Sequence, residues 1–574
     1  MPGRRREPAS AAEIGRSQLG YPVASAHPAK RLALPRKEPV LTLDRHLRPA
    51  AVLMALALLL TACGDSLPFL PSTAPTPQQP REVAIALVDR HTGEPVAGAS
   101  VAAGDANGTS DAGGTVTLSA LRGAQVNVEA AGYDAAAATV PDEGDLRVEL
   151  RSNVLTGTVT DATGSPVSGA RVFVDGSQAV VRTDEKGRYR LGGVPADGTL
   201  VVKMPGFRLA TLTLADQAGL DVALQPFVAR GLYAPSAVFE APGRLDQMLD
   251  LIDRTEVNAM VIDVKETDGN LYWSTELPAA VKAGAVMDHP LFDLAELLPK
   301  LKERGIYTIA RMVVMKDNTV GRSRPELAVR NSATGQPWTD FRGGVWLDPY
   351  NPGVAEYIAA LAGDLADKGF DEVQLDYVRF YSDGDYSVAQ TNLPNMQSFR
   401  LPAIRRLFRL VGERLAAEKT FFAADVFPIS FIAPDDQGIG QRPEVIMPYV
   451  DYFCPMVYPS HYGPGTFGIA QPNEHPYEII DQTLEIMNEQ KQGLPMVIRP
   501  WIQDFGYGSF RAYTANDVRA EMKALADNQA QGWMIWNAQA RFTQAALGPP
   551  RDGEDAGPMT SGSPAASPAA SPGS

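Results

Sequence analysis

From Phe227 to about Leu547 the sequence alternates short β-rich runs with helical patterns, and no other feature limits the fold so tightly. The runs are VARGLYA, NAMVIDVKE, IYTIARMVV, DEVQLDYVRF, TFFAADVF, VDYFCPMVY, LPMVIRPWI and GWMIWNA. Between them, stretches such as RLDQMLDLIDRT, LAELLPKLKERG and VAEYIAALAGDLADKG place apolar residues at i, i+3 and i+4, with glycine at their ends. Roughly 320 residues of this rhythm predict an α/β unit, a (β/α)8 TIM barrel with loop insertions, over residues 227–547. In such a barrel, polar residues at the C-terminal ends of the strands converge on one cleft.

Ahead of this unit lies an internal repeat. Thr92-Gly93-Glu94-Pro95-Val96-Ala97-Gly98-Ala99-Ser100-Val101 returns as Thr163-Gly164-Ser165-Pro166-Val167-Ser168-Gly169-Ala170-Arg171-Val172. Each copy sits among short alternating runs such as VAIALV, GTVTL, LTGTV and RVFV, separated by Gly, Asp and Pro turns. That is the pattern of small antiparallel sandwiches, so two all-β domains are expected, at 81–150 and 151–226. With separate patterns and separate cores, a fragment beginning near Ala223 is expected to fold without them.

The ends of the chain have other signatures. Residues 50–62, AAVLMALALLLTA, are apolar except for Thr61, follow Arg45, His46 and Arg48, and are too short to span a bilayer. They read as the h-region of an export signal within a leader at 1–62. The run closes on Leu60-Thr61-Ala62-Cys63, which resembles the bacterial lipobox and implies lipidation of Cys63 and anchoring to the cell membrane on its extracytoplasmic side. Proline-rich 63–80 reads as a tether, and 548–574, ending in SGSPAASPAASPGS, as a disordered tail.

With 52 basic against 67 acidic residues the chain carries a formal charge of −15, so a non-specific grip on nucleic acid has no electrostatic source. Cys63 and Cys454 are its two cysteines, which excludes a disulfide framework and cysteine-ligated metal clusters. Cys454, between Phe453 and Pro455 in a strand, reads as a buried apolar residue. His461 and His475 lie in a Gly/Pro-rich loop without metal-ligand spacing, so they read as part of a binding loop and no metal or cofactor is assigned.

Chemistry must therefore come from the strand ends. The fourth run supplies Asp376, Tyr377 and Arg379, and the fifth supplies Asp425 between apolar neighbours. Two carboxyls on adjacent strands can share one space, as glycosidic cleavage requires: an ionised group for the anomeric carbon and a protonated one for the leaving oxygen. Arg379 favours charge on Asp376, and the Ala/Phe setting of Asp425 favours its neutral form. An equally open reading makes each carboxylate a helix cap or an arginine partner.

The second run carries Asp263 and Lys265 on one face, as hydroxyl-binding groups or a self-neutralising pair. Arg311 ends the third; Arg499, Trp501 and Gln503 share a face of the seventh; Trp533, Trp536 and Asn537 belong to the eighth; and Tyr458 closes the sixth. Aromatic rings flanked by hydrogen-bonding groups suit the alternating faces of a sugar, although a single tryptophan more often packs a core.

The ordered motifs ARGLYAPS, LIDRTEVNAMVIDVKETDG, RGIYTIARMVVMKD, WLDPYNPGVAEYI, GFDEVQLDYVRF, AADVFPISF, DDQGIGQ, VDYFCPMVYPSHYGPGTFGI, HPYEII, IRPWIQDF and GWMIWNA resemble the bacterial putative glycoside hydrolase domain, a family allied by fold to the α-amylase-like barrels. The resemblance covers Arg230 to Asn537. It implies that Asp376 stands where those barrels place a nucleophile and Asp425 where they place the acid/base, with aspartate one methylene shorter than the usual glutamate. The preceding repeats resemble carboxypeptidase regulatory-like sandwiches, on TDEKGRYRLGGVP and MPGFRLATLTL in the second copy and DAGGTVTLSAL and AAGYDAAAATV in the first. The expectation is a lipoprotein whose barrel cleaves O-glycosidic bonds of a cell-surface or environmental polysaccharide by a retaining mechanism. The competing expectation is a glycan-binding barrel without turnover.

Overall fold

The computed structural model describes residues 79–491 and 493–550. The leader, Cys63 and nearly all of the tether and tail lie outside these residues.

The two copies of the repeat fold alike. In the first, a three-stranded sheet (Thr115–Ala120, Arg81–Asp89, Leu146–Leu150) faces a four-stranded one (Ala106–Thr109, Ser100–Ala103, Gln125–Glu129, Ala136–Thr139). The second has the same connectivity, with Arg188–Gly192, Val154–Asp161 and Val222–Leu224 against Val180–Arg182, Arg171–Val174, Asp197–Lys203 and Ala210–Ala215. The repeated motif is the turn after the first strand of each copy. Asp89 Oδ1 accepts from the backbone N–H groups of His91 and Thr92 at 2.7 and 2.9 Å, and Asp161 Oδ1 does the same for Thr163 and Ser165 at 2.8 and 2.9 Å. Alternation then buries one face of each sheet, giving each module its own core of Val, Leu and Ala, with Ile85 added in the first and Tyr189 in the second.

The rest of the chain is mixed α/β, built on a curled parallel sheet. Along the chain its strands are Ala229–Ala234, Ala259–Lys265, Tyr307–Val313, Glu372–Asp376, Phe421–Val426, Tyr452–Pro455, Val497–Ile498, Trp501–Gln503 and Gly532–Trp536. Val497–Ile498 and Trp501–Gln503 form the two ends of the sheet, yet only Arg499 and Pro500 separate them in sequence; we count them as two halves of the seventh strand. Proline has no N–H for the ladder, which accounts for the interruption.

Helices follow the strands. Pro352–Lys368 starts where Asn351 accepts from Gly353 N at 3.0 Å with proline in first position, and stops at Gly369, whose φ of 99° lies in the left-handed region. The regular alternation lapses after the fifth strand. There, the described residues form only the four-residue α-helices Ile429–Ile432 and Pro443–Ile446 and a 3-10 turn at Met447–Tyr449, because Pro434, Gly438 and Gly440 break the segment between the two α-helices. A loop takes the place of a long helix and walls the site described below.

The second module docks on the sheet. Lys203, 1% exposed, donates to the carbonyls of Leu415, Glu418 and Thr420 at 3.1, 2.9 and 2.6 Å, covering the end of helix Gln397–Leu415 and the chain beyond it. Arg171 pairs with Asp451, whose other oxygen accepts from Phe422 N at 3.0 Å, and the backbone N–H of Gly206 donates to the Tyr452 hydroxyl at 3.2 Å. These contacts lie at the start of the fifth and sixth strands, the end opposite Asp376 and Asp425.

Candidate active site

Side chains alternate along a strand, and the sheet sorts them into two cores. Leu232, Met260, Ile262, Ala310, Met312, Val373, Leu375, Phe422, Ala424 and Ile535 pack under the helices, while Tyr233, Val261, Tyr307, Ile309, Phe421, Ala423, Tyr452, Cys454, Trp501 and Met534 pack against one another on the concave side. Asp263, Arg311, Asp376 and Asp425 continue the second set by two-residue steps. The register completes the placement: Asp263 lies opposite Arg311, and the pairing of Leu375 with Ala424 brings Asp376 level with Asp425.

These residues open into a cleft of about 290 Å³ whose lining includes Arg311, Asp376, Tyr377, Arg379, Asp425, Tyr458, His461, Trp501 and Trp536. Its far wall is the loop after the fifth strand, through Phe427, Ile429, Ile432, Pro434 and Gln437. Asp436 anchors that loop by taking both arms of the Arg400 guanidinium at 2.7 Å each.

Arg311 is the hub. Its Nε and Nη2 donate to Asp376 Oδ2 at 3.1 and 2.6 Å, and its Nη1 donates to Asp263 Oδ1 at 2.5 Å and Glu266 Oε1 at 2.7 Å. Nε also stands 4.0 Å from Asp425 Oδ2. The plane of the guanidinium is packed by Tyr233 and Trp536, which stack on each other with centroids 4.0 Å apart. Asp376 Oδ1 accepts from the N–H of Tyr377 at 2.6 Å, and Tyr377 itself sits at φ 52°, a left-handed conformation that is rare for a large side chain and concentrates at functional sites.

Asp425 is set differently. Oδ1 accepts from the indole N–H of Trp501 at 2.7 Å, whereas Oδ2 is buried without a hydrogen-bond partner among the described residues. Burial, and then the charge of Asp376, push this carboxyl well above the usual carboxylate range against the pull of Arg311 and Trp501. Asp263 is also raised, to about 7, by burial and Glu266, although Arg311 and the Tyr233 hydroxyl act against the rise.

Several strand-end residues lie elsewhere. Lys265 does not share a face with Asp263, because a bulge between them sets Lys265 opposite Met312 of the helix-side core, where its ammonium pairs with fully buried Asp317 at 2.8 Å. Arg499 is bonded to Glu372, which lies four residues before Asp376 and so about 13 Å lower on the same face. Gln503 is fully buried and holds loops, accepting from Ser460 N at 3.1 Å and donating to Phe505 O at 3.0 Å. Asn537 joins strand ends by donating to Asp504 O at 2.5 Å. The expected aromatic platform also differs: Trp533 packs on the helix side, Trp501 is 1% exposed and acts as a hydrogen-bond donor, and of the three only Trp536 is partly exposed. Tyr233 belongs to the site although no motif of the sequence singles it out; its place one residue before the end of the first strand is the signal that could have found it. Among the described residues, no three His, Cys, Asp or Glu are grouped to hold a metal ion.

No curated protein matches the chain. Among solved structures, a hypothetical protein from Ruminiclostridium thermocellum is 31% identical over 34% of this chain and 97% of its own, with a TM-score of 0.31. The glycoside hydrolase domain of PgaB (BpsB) from Bordetella bronchiseptica is 15% identical over 56% and 99%, with a TM-score of 0.41. The C-terminal domain of a putative chitinase from Desulfitobacterium hafniense is 14% identical over 56% and 96%, at 0.35. Such scores transfer neither substrate nor mechanism. The carboxypeptidase regulatory-like model matches residues 154–225, the second module, and the putative glycosyl hydrolase domain model matches residues 231–542. That match spans more than half of the chain, and the protein belongs to the putative glycosyl hydrolase domain family.

Proposed function

We propose that the protein is a retaining glycoside hydrolase in which Asp376 is the nucleophile and Asp425 the acid/base. The observation that carries this reading is the orphaned Asp425 Oδ2, buried and facing the same arginine that holds Asp376. A carboxyl kept neutral by its surroundings has a proton to give, and an arginine-bonded carboxylate beside it has an electron pair. The two Oδ2 atoms can be no further apart than their distances to Arg311 Nε laid end to end, about 7 Å, a bound that takes in the roughly 5–5.5 Å of retaining enzymes and only the lower edge of the inverting range.

In the first step an oxygen of Asp376 bonds to the anomeric carbon as the glycosidic C–O bond breaks, and the Asp425 proton passes to the departing oxygen. In the second, water adds to the same carbon, gives its proton to the Asp425 carboxylate, and Asp376 leaves with its electron pair. Tyr458, Trp536 and Arg379 line the space for the sugar. We read the sheet as a closed (β/α)8 barrel, supported by the bridge between Met456 and Trp501, which links the sixth strand to the second half of the seventh. The substrate of this reading is a cell-surface or environmental polysaccharide, met by an exported protein held to the membrane by lipid at Cys63.

One observation favours the binding-only alternative: both oxygens of Asp376 are already engaged, by Arg311 and by Tyr377 N. Incubating the full chain with a panel of bacterial-envelope and plant polysaccharides, followed by product analysis, decides between them. New reducing ends that disappear with Asp376→Asn support hydrolysis; binding without products supports the alternative.

A further inference from the structure

We propose that Tyr458, His461, Tyr507 and Phe510 form an aromatic ledge that leads a glycan chain out of the cleft, so that the site takes a polymer and not a single sugar. The inference rests on reading the cleft as a glycosidase site.

The rings form a continuous row. Tyr458 and His461 belong to the cleft lining and meet edge to face with centroids 5.6 Å apart. His461 packs on Tyr507 at 4.7 Å, and Tyr507 stacks with Phe510 at 6.3 Å and an interplanar angle of 25°. Phe505 supports the turn, meeting Tyr458 and His461 at 5.6 and 6.0 Å. Tyr507 and Phe510 are each 50% exposed, so half of two large rings faces water beside the cleft mouth. Neighbouring exposed apolar rings mark an interaction site.

The ledge is also built to keep its shape. Its outer half, Tyr507 and Phe510, lies in the segment between the seventh strand and helix Ala515–Asp527. At one end Asp504 accepts from Thr543 N and Oγ1 at 2.6 and 2.7 Å. At the other, Asp517 takes both arms of Arg511 at 2.8 and 2.7 Å and caps the helix through Thr514. Ser460 Oγ holds His461 Nδ1 at 2.9 Å, fixing that ring as well. A segment tied at both ends spends little ordering entropy on binding.

A glycan chain is the occupant that fits. The C–H faces of pyranose rings stack on aromatic faces, and spacing near the width of one ring lets successive sugars follow the row. Continuity with the cleft makes the same chain that enters the site the one that lies on the ledge. A folded protein partner would need a broader apolar area than two half-exposed rings provide.

The test uses the full chain carrying Asp376→Asn, so that binding is read without turnover, in native gels containing hydroxyethyl cellulose, glycol chitin, xylan, mannan or dextran. Retardation by at least one polymer, with its apparent dissociation constant raised fivefold or more by Tyr507→Ala plus Phe510→Ala at unchanged melting temperature, is the expected result. Equal retardation of parent and double variant overturns the ledge, as does no retardation by any polymer. Loss of binding to phosphatidylglycerol vesicles in the double variant, with polymer binding unchanged, overturns the glycan occupant in favour of a membrane contact. The hydrolase reading fails separately: ledge-dependent retardation with no product from the unmutated chain leaves the ledge and removes catalysis.

Discussion

The indole N–H of Trp501 donates to Asp425 Oδ1 at 2.7 Å, fixing the carboxyl so that Oδ2 is the oxygen left without a hydrogen-bond partner among the described residues, 4.0 Å from Arg311 Nε. Trp501 stands where the seventh strand resumes after Pro500, so the break in that strand and the setting of the proposed acid are parts of one arrangement.

Asp376→Asn keeps the shape and removes the attacking carboxylate. Turnover of any substrate found should fall by at least about a thousandfold while ligand affinity changes little. Wild-type rates in this variant, read by reducing-end release, would sink the nucleophile assignment.

Asp425→Asn should separate substrates by leaving group. Natural glycosides should slow by about 10²–10⁴-fold, whereas aryl glycosides with acidic phenols, which need little protonation, should be largely spared. Equal losses on both classes would remove Asp425 from the acid role.

The same variant has a stability signature. The folded carboxyl titrates well above its unfolded value of about 3.9, so below that pH both states hold the proton and the group costs nothing. As pH rises past about 4 the unfolded state ionises first, and wild type loses stability. Asp425→Asn should therefore be more stable than wild type near pH 7, with the difference vanishing near pH 4 in urea melts. A gain that instead grows toward acid would contradict the raised carboxyl.

Lys203→Met tests the docking of the second module. It removes the donor to three carbonyls in a buried contact, which should lower stability by about 2–4 kcal/mol. A fragment beginning near Ala223 should fold but melt below the full chain, because Leu415, Glu418 and Thr420 lose their ammonium and the Phe421 and Tyr452 end of the sheet loses its cover. Coincident melts would show that the contact adds no stability.

Much of this was legible in the residues. Their places at the ends of adjacent strand runs brought Asp376 and Asp425 together, the repeated TG-x-PV-x-GA turn announced two like modules, and the 3.6-residue apolar spacing with glycine at its end marked the helix after the third strand. Partner choice was not legible. Arg379, two residues beyond Tyr377, was the near candidate for Asp376, yet it is Arg311, across the sheet, that holds that carboxylate, while Arg379 lies over Trp346 and Phe427.

The sequence by itself determined where the strands run and which of their side chains stand at the C-terminal ends, because a strand's extent depends on the local apolar pattern that buries it. Tertiary structure decided which of those side chains meet. A one-residue bulge sent Lys265 away from Asp263, register put Arg311 among Asp263, Glu266 and Asp376, and the depth of Glu372 drew Arg499 out of the cleft. Charged groups inside a sheet are fixed by the cost of leaving them unpaired, and whether a partner is within reach is settled only once neighbouring strands are aligned.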